Sequence, residues 1–442
     1  MSIKTIPLSE VLIHRKQSIT IQEETTYKRC RVQLHRRGVE LRDAVKGFEI
    51  RTKKQQVCKA GDFIVAEMDA KFGGYSIIPE DLEGAIVSSH YYLFDIKTDK
   101  LLPDFLRVLL NTEILQSQIK AKGSTNYSAV RPGDVLNWEI PLPGINEQRI
   151  IAKHYLKTKG KSVLLEKEYD RQNKLISQLR QALLKKAVEG TLMPQDPNDE
   201  PASKLLEGIK AEKKILIKEG KLKSDKPLIP IKPEEIPFAI PGNWVWCKLG
   251  DITTKIGSGS TPRGGDYSTS GIPFFRSQNI YNSGLQYDDI KLISTELHKK
   301  MLGTQVSAND LLLNITGGSL GRCAKTPNNF NVGNVSQHVC IIRTFRVDAD
   351  YFHKLILSPY FQYMIFSSTT GAGREGLPKY NLENFLIPLP PLLEQYRILT
   401  KLNKLMEYCD SLEKQINQSI SQANLLTQSV LLEALQPEEV EN

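Results

Sequence analysis

The chain repeats one pattern about 247 residues apart, and this duplication limits its fold more than any other feature. Asn137-Trp138-Glu139 followed by IPLPGINEQ (140–148) returns as Asn384-Phe385-Leu386 followed by IPLPPLLEQ (387–395). Upstream, Ala60-Gly61-Asp62-Phe63-Ile64 matches Ala308-Asn309-Asp310-Leu311-Leu312 at an offset of 248. Val87-Ser88-Ser89-His90 matches Val335-Ser336-Gln337-His338 at the same offset of 248. Each IPLP motif runs straight into a long proline-free stretch with helical periodicity. Two copies of a globular unit, each followed by a long helix, predict a chain that holds two similar surfaces at a set separation. A single catalytic pocket is not what such a plan builds.

A length of 442 residues predicts two to three domains, each large enough for its own core. Residues 1–143 read as a first globular unit, with strands in 62–68, 84–89 and 90–96 and a helix over 105–119. Residues 144–190 read as a long helix stopped by Gly190 and Pro194. A basic, proline-rich connector with one short helix spans 191–236. The second unit fills 237–390, with strands in 310–316 and 338–345 and a helix near 351–366. A second long helix covers 391–436, and an acidic tail closes the chain at 437–442. The expected fold class is α+β: two similar α/β domains separated by a pair of long antiparallel coiled-coil helices, with a pseudo-two-fold internal repeat.

The two helices share a register. A 4-then-3 spacing in the second selects Ile398, Leu402, Leu405, Cys409, Leu412, Ile416, Ala423, Leu426 and Val430. Subtracting 247 gives Ile151, Tyr155, Leu165, Tyr169, Ile176, Leu179 and Leu183, with Thr158, Ser162 and Gln172 weakening that seam. Chain direction then predicts antiparallel pairing, with a reach of at most ~65–70 Å at ~1.5 Å per residue.

Composition narrows the chemistry. No window approaches the ~18 apolar residues of a membrane span, and the N-terminus lacks a signal-peptide pattern, so a cytoplasmic protein is expected. The six cysteines form no metal-spaced clusters and read as free thiols. No phosphate loop, GxSxG, HExxH or NPPY-type tetrapeptide occurs, and the Gly-rich run 257–265 reads as a loop rather than a cofactor cradle. No catalytic residue, metal ligand or bound cofactor is therefore expected in this chain.

The net charge of +9 is uneven, with ten basic and three acidic residues in 28–54. Such an excess suits a polyanion, because neutralised phosphates release condensed counterions. It equally suits a solvated loop. Candidate DNA contacts there are Arg36, Arg37, Arg42, Lys53 and Lys54, joined by Lys71, Tyr75, Asn126 and Arg131. In the second unit they are Thr261, Arg263, Arg276, Gln278, Asn279, Arg374 and Lys379. Arg forks match guanine edges while Asn and Gln match adenine, so these side chains can specify sequence. His90 and His338 recur at matched positions and read as structural or base-contacting.

These stretches resemble the specificity subunits of type I restriction–modification systems. The resemblance is carried by IPLPGINEQRI and IPLPPLLEQYRI, by the connector LLKKAVEGTLMPQDPNDEPASKLLEGIKAEKKILIKEGK, and by FAIPGNWVWCKLGDI (238–252) with the loop 255–280. It implies two target-recognition domains, each reading one half of a split, asymmetric DNA site. The helices would act as ruler and as scaffold for two modification subunits that methylate adenine N6. S-adenosylmethionine, ATP and Mg would then sit on modification and restriction partners, leaving this subunit non-catalytic. The N-terminal unit departs from the pattern, since IKTIPLSEVLIHR offers no counterpart of PGNWVW or of the TPRGG loop. The competing readings are a self-contained DNA methyltransferase or nuclease with unfamiliar motifs, and a coiled-coil adaptor that makes no DNA contact.

Overall fold

The computed structural model describes residues 4–119, 129–223, 227–262, 267–368 and 376–435. It divides into two compact units, one of residues 1–170 with 417–442, the other of 171–416. Each unit holds one repeat, and the repeats share one plan.

In the first repeat a four-stranded antiparallel sheet runs in the order Leu12–Arg15, Tyr91–Ile96, Phe63–Ala66, Tyr75–Ile77. In the second the order is Thr253–Ser258, Val339–Thr344, Leu311–Asn314, Cys323–Lys325. Three of these four strands keep the 248-residue offset at both ends. The turn before the central strand explains one matched motif. Gly61 and Asn309 adopt left-handed backbone, φ +87° and +63°, a conformation that glycine and asparagine tolerate best. Asp62 and Asp310 then accept the backbone N–H groups of Lys59 and Ser307, and are buried against Arg15 and Arg343.

A second sheet lies beside each. In the first repeat it has five strands, ordered Ser18–Thr20, Lys54–Val57, Ile86–Val87, Thr26–Gln33, Gly38–Lys46. In the second it has four, ordered Gln305–Val306, Gly333–Val335, Ile272–Phe275, Lys291–Ile293. Both contain a single parallel pair, Thr26–Gln33 with Ile86–Val87 and Ile272–Phe275 with Gly333–Val335. The first sheet therefore matches the second with one added edge strand.

A two-stranded ladder leads into each long helix: Lys4–Pro7 with Glu139–Leu142, and Val245–Lys248 with Leu386–Leu389. This corrects one expectation. Lys4–Pro7 occupies the place of the VWCK strand although its residues differ. The EQ of each IPLP motif now has a physical role. Gln148, fully buried, accepts the Leu102 N–H and donates to the carbonyls of Lys100 and Pro143. Gln395 likewise accepts the Asp348 N–H and donates to Pro390. Each glutamine ties the start of a long helix to the start of a short one, and leaving those buried groups unpaired would cost roughly 1–3 kcal/mol each.

The helix expected over 105–119 stops at Leu110. There the side chains of Asn111 and Thr112 donate to the carbonyls of Arg107 and Leu109, competing with the helical ladder. The helix expected near 351–366 is two helices, Ala349–Ile356 and Pro359–Ser367. Ser358 caps the second by accepting the Phe361 N–H, and Pro359 sits at its first turn.

The long helices run Ile145–Val188 and Leu392–Leu435. In the second unit their segments pack antiparallel. Arg180 bonds to Asp410 and Glu413 at 2.6 and 3.0 Å, while Trp244 links the region of Gly190 to Glu394. Ile176, Leu183, Leu184 and Ala187 bury against Ile398, Leu402 and Cys409, with Leu405 and Ile416 partly covered. Several expected seam positions are corrected. Leu179 and Leu412 are nearly half exposed, and Leu165 and Leu426 are also exposed. Ile151 and Tyr155 pack on the core of the first repeat instead. Tyr169 and Ala423 are half-buried, and the Val430 side chain lies outside the described set. The reason is periodic: a straight helix drifts about 20° per heptad, so the buried stripe follows 176, 180, 183, 184, 187 rather than a strict 4-3 repeat.

The junction in the second unit knits the connector to both helices. Trp244 Nε1 donates to Glu394 at 2.9 Å and to Gln195 at 3.2 Å. Arg397 pairs with buried Asp199. Gly190, at φ +69°, brings its Cα so close to Pro241 that a Cβ would stand 2.5 Å from that ring. Burial raises the Glu394 carboxyl above the ordinary range, opposed by its bonds from Trp244 and Gln195.

Candidate nucleic-acid interface

In each repeat one edge of the four-stranded sheet gathers the polar loops. The second repeat displays it more fully. Ile315 N–H donates to the His338 carbonyl at 3.0 Å, and Leu377 N–H donates to Ile315 at 2.9 Å. Thr316 Oγ1 and His338 Nδ1 are 2.7 Å apart, with Gln337 exposed alongside. Ser336 N–H donates to the Phe275 carbonyl, which places the turn 276–279 at the same edge. Buried Asn314 donates to the Ser277 carbonyl at 2.9 Å and fixes that turn from below.

The Gly-rich run arrives there too. Gly257 and Ser258 end a strand, so the first two residues of the expected loop are sheet. Gly259 N–H donates to Val339, and a Cβ at Gly259 would stand 1.8 Å from the Val335 carbonyl. Only glycine passes this point, after which Thr261 is exposed. The two segments carrying Arg263 and Arg374 lie outside the described residues.

The first repeat builds the equivalent edge. Glu67 N–H donates to His90 at 2.8 Å, and Val130 N–H donates to Glu67 at 2.9 Å. His90 Nδ1 and Glu67 Oε2 are 2.8 Å apart, whereas His338 bonds Thr316, one residue beyond the position that matches Glu67. Lys71 and Arg131 are exposed near these segments. Asn126 lies outside the described residues.

The remaining candidates separate into free and committed groups. Arg37, Lys54, Lys71 and Arg131 are exposed and carry no side-chain ion pair among the described residues. Arg42 is exposed, 3.6 Å from Asp43. Arg36 is a structural tie, donating to the Thr112 carbonyl and to Glu113 at 2.7 Å each. Lys53 donates to the Gly47 carbonyl, and Lys379 pairs with Glu383 at 3.0 Å. Arg276 and Gln278 both bond Asp289, which orients them at the turn. A bond from Lys291 at 3.2 Å, together with that from Arg276, holds the Asp289 carboxyl below its ordinary range.

Two candidates are corrected. Tyr75 is packed in the core between Phe63 and Trp138, because it faces inward on its strand. Asn279 is fully buried, accepting the Arg276 N–H and donating to the Gln286 and Asp288 carbonyls. It shapes the turn and cannot touch a base. Sequence reasoning missed Arg322, stacked 4.9 Å over the exposed Tyr281 ring. It also missed Arg29, Arg31 and Arg51, which line a hollow on the five-stranded sheet. The basic composition of 28–54 was a signal for them, but not for which residues share a face.

Among the described residues no cluster of three or more His, Cys, Asp or Glu is placed to hold a metal, and no helix is long and apolar enough to cross a membrane. The cysteines are free and buried.

Comparison with known proteins places this architecture. The chain is 32% identical over 267 residues to the type I restriction enzyme EcoAI specificity subunit of Escherichia coli, covering 59% of this chain and 44% of that one. It is 34% identical over 266 residues to the EcoEI specificity subunit, covering 58% and 43%. The aligned part thus spans under half the length of these two relatives. With the EcoBI specificity subunit it is 26% identical over 392 residues, covering 83% and 75%. A solved structure described as the basis of complex assembly and conformational transition of the type I R-M system shares the fold, with a TM-score of 0.72 at 18% identity over 98% of both chains. The crystal structure of the HsdS subunit from Thermoanaerobacter tengcongensis matches with a TM-score of 0.55 at 19% identity, over 98% of this chain and 96% of that one. The family described as the type I restriction modification DNA specificity domain matches residues 4–175 and again 241–422, once per repeat, and the chain belongs to that family.

Proposed function

We propose that this chain is the DNA-reading and scaffolding subunit of a type I restriction–modification complex. The observation that carries the reading is the matched pair of loops: His90 and His338 sit at one end of the same sheet through matched backbone bonds, with Lys71 and Arg131 exposed near the first and Arg276, Gln278 and Gln337 near the second. Each repeat reads one half of a bipartite, asymmetric site, and the long helices set the spacing between halves. Exposed leucines along those helices, such as Leu164 and Leu425, suit a surface that two modification subunits cover. Those partners carry S-adenosylmethionine and methylate adenine N6, and restriction partners carry ATP and Mg. The chain itself performs no covalent step.

The test is a reconstitution. The chain with its modification subunit should bind its duplex with an affinity that falls steeply with salt, and should transfer methyl groups from labelled S-adenosylmethionine. The chain alone should transfer none. Methyl transfer by the chain alone would replace this reading with a self-contained methyltransferase. Salt-independent association without DNA would replace it with an adaptor.

A further inference from the structure

Beside the His90 edge lies a hollow of about 310 Å³. Buried Ile50 and Ile86 line it together with Thr52 and Gln55. Arg29, Arg31, Arg42 and Arg51 line it against one carboxylate, Glu49. Ser88 and Tyr91, which flank the His90 turn, complete the wall and join the hollow to the reading edge.

Strand alternation places the arginines. Arg29 and Arg31 stand two apart on Thr26–Gln33, outward, while Cys30 and Val32 between and beyond them are buried. Both are braced from the neighbouring strand. Arg29 donates through Nε and Nη2 to Asp43 at 2.6 and 2.7 Å, and Arg31 donates through Nε to Glu40 at 2.6 Å. For Arg29 these bonds occupy the fork that would otherwise match a guanine edge. Arg42 reaches Asp43 only at 3.6 Å, and Arg51 is exposed with no ion pair among the described residues. The matching strand of the second repeat, Ile272–Phe275, is apolar and offers no such group.

We propose that this hollow grips the sugar–phosphate backbone of DNA beside the first half-site. Arg42 and Arg51 supply the main contacts, and braced Arg29 and Arg31 present their remaining N–H groups. The proposal rests on the DNA-reading assignment and adds which residues position the duplex rather than read it. A phosphate oxygen accepts a charge-assisted bond from any free guanidinium edge, and a concave wall of one sign concentrates the field on an anion. Phosphate contacts set register without carrying sequence information.

The experiment uses the full chain with its modification subunit, on a duplex bearing the methylated site and on an unrelated duplex, across about 50 to 200 mM salt. The double variant R42Q/R51Q should lower the slope of log K against log salt by about 2, near 0.9 per lost phosphate contact. Both duplexes should weaken together, and the methylated sequence should stay the same. R42K/R51K, which keeps the charge, should restore most of the slope. An unchanged slope overturns the proposal, as does a changed first half-site, which would make these residues base readers. If the parent complex binds both duplexes equally, the sequence-reading assignment fails on its own, while a slope that still falls with R42Q/R51Q supports the grip. A parent complex that binds no duplex overturns both.

Discussion

The second sheet of the first repeat has five strands and an arginine-lined hollow, whereas that of the second has four strands and a turn held by Asp289. Their core sheets, by contrast, keep strand order, and three of the four strands keep an offset of 248 residues. The difference follows burial. Positions held by packing or by buried bonds, such as Asp62 and Asp310 or Gln148 and Gln395, recur in both copies. The less buried polar partners at the same place do not, since His90 bonds Glu67 whereas His338 bonds Thr316 and the position matching Glu67 is Ile315. A common frame with divergent loops is what the proposed function, two readers of different half-sites, requires.

Breaking the frame should have the largest effect. Leu402→Ala removes a fully buried side chain from the helix seam and should cost about 2–5 kcal/mol in urea unfolding. Leu412→Ala, at an exposed position of the expected heptad, should stay within about 0.5 kcal/mol. Equal effects would restore the strict heptad that the packing rejects.

Next come the two glutamines. Gln148→Leu and Gln395→Leu should each destabilise by roughly 2–3 kcal/mol, since each strands a buried backbone N–H and at least one carbonyl. Similar losses would support one joint used twice. A loss confined to one repeat would break the equivalence.

The smallest effect separates the neighbouring glutamates. Glu394 is buried beneath Trp244, while Glu147 is exposed and caps the Gly144 N–H at 2.9 Å. A carboxyl raised by burial is penalised when ionised, so its contribution is greatest below the ordinary value of about 4.3 and is lost as pH rises through the raised one. Measured against Glu394→Gln in thermal melts, the parent should therefore gain stability as pH falls from neutral toward that value. Glu394→Gln keeps the acceptor for Trp244 and should flatten this gain, whereas Glu147→Gln should leave it unchanged. Identical pH profiles for parent and Glu394→Gln would remove burial of that charge as the cause.

The frame was legible because its signals are local. Proline before a helix, a repeated Asp after a left-handed turn and apolar strand runs each point to one structure. Helix ends at Asn111 and Ser358 escaped, because the deciding side-chain bonds compete with a periodicity that continues past them. The strand Lys4–Pro7 escaped because its match to Val245–Lys248 lies in pairing rather than in residue identity. At the candidate interface, residue type selected Arg276 and Gln278, which stand at the turn bonded to Asp289, and equally Tyr75 and Asn279, which are buried. Which face a side chain takes on a short strand or tight turn depends on partners distant in sequence, such as Trp138 for Tyr75.

The most direct measurement exchanges residues 237–390 for the recognition domain of another family member and reads the methylated sites by methylome sequencing. One half-site should change, with the other half-site and the spacer retained. A change in both halves, or in neither, would contradict the division of reading between two repeats.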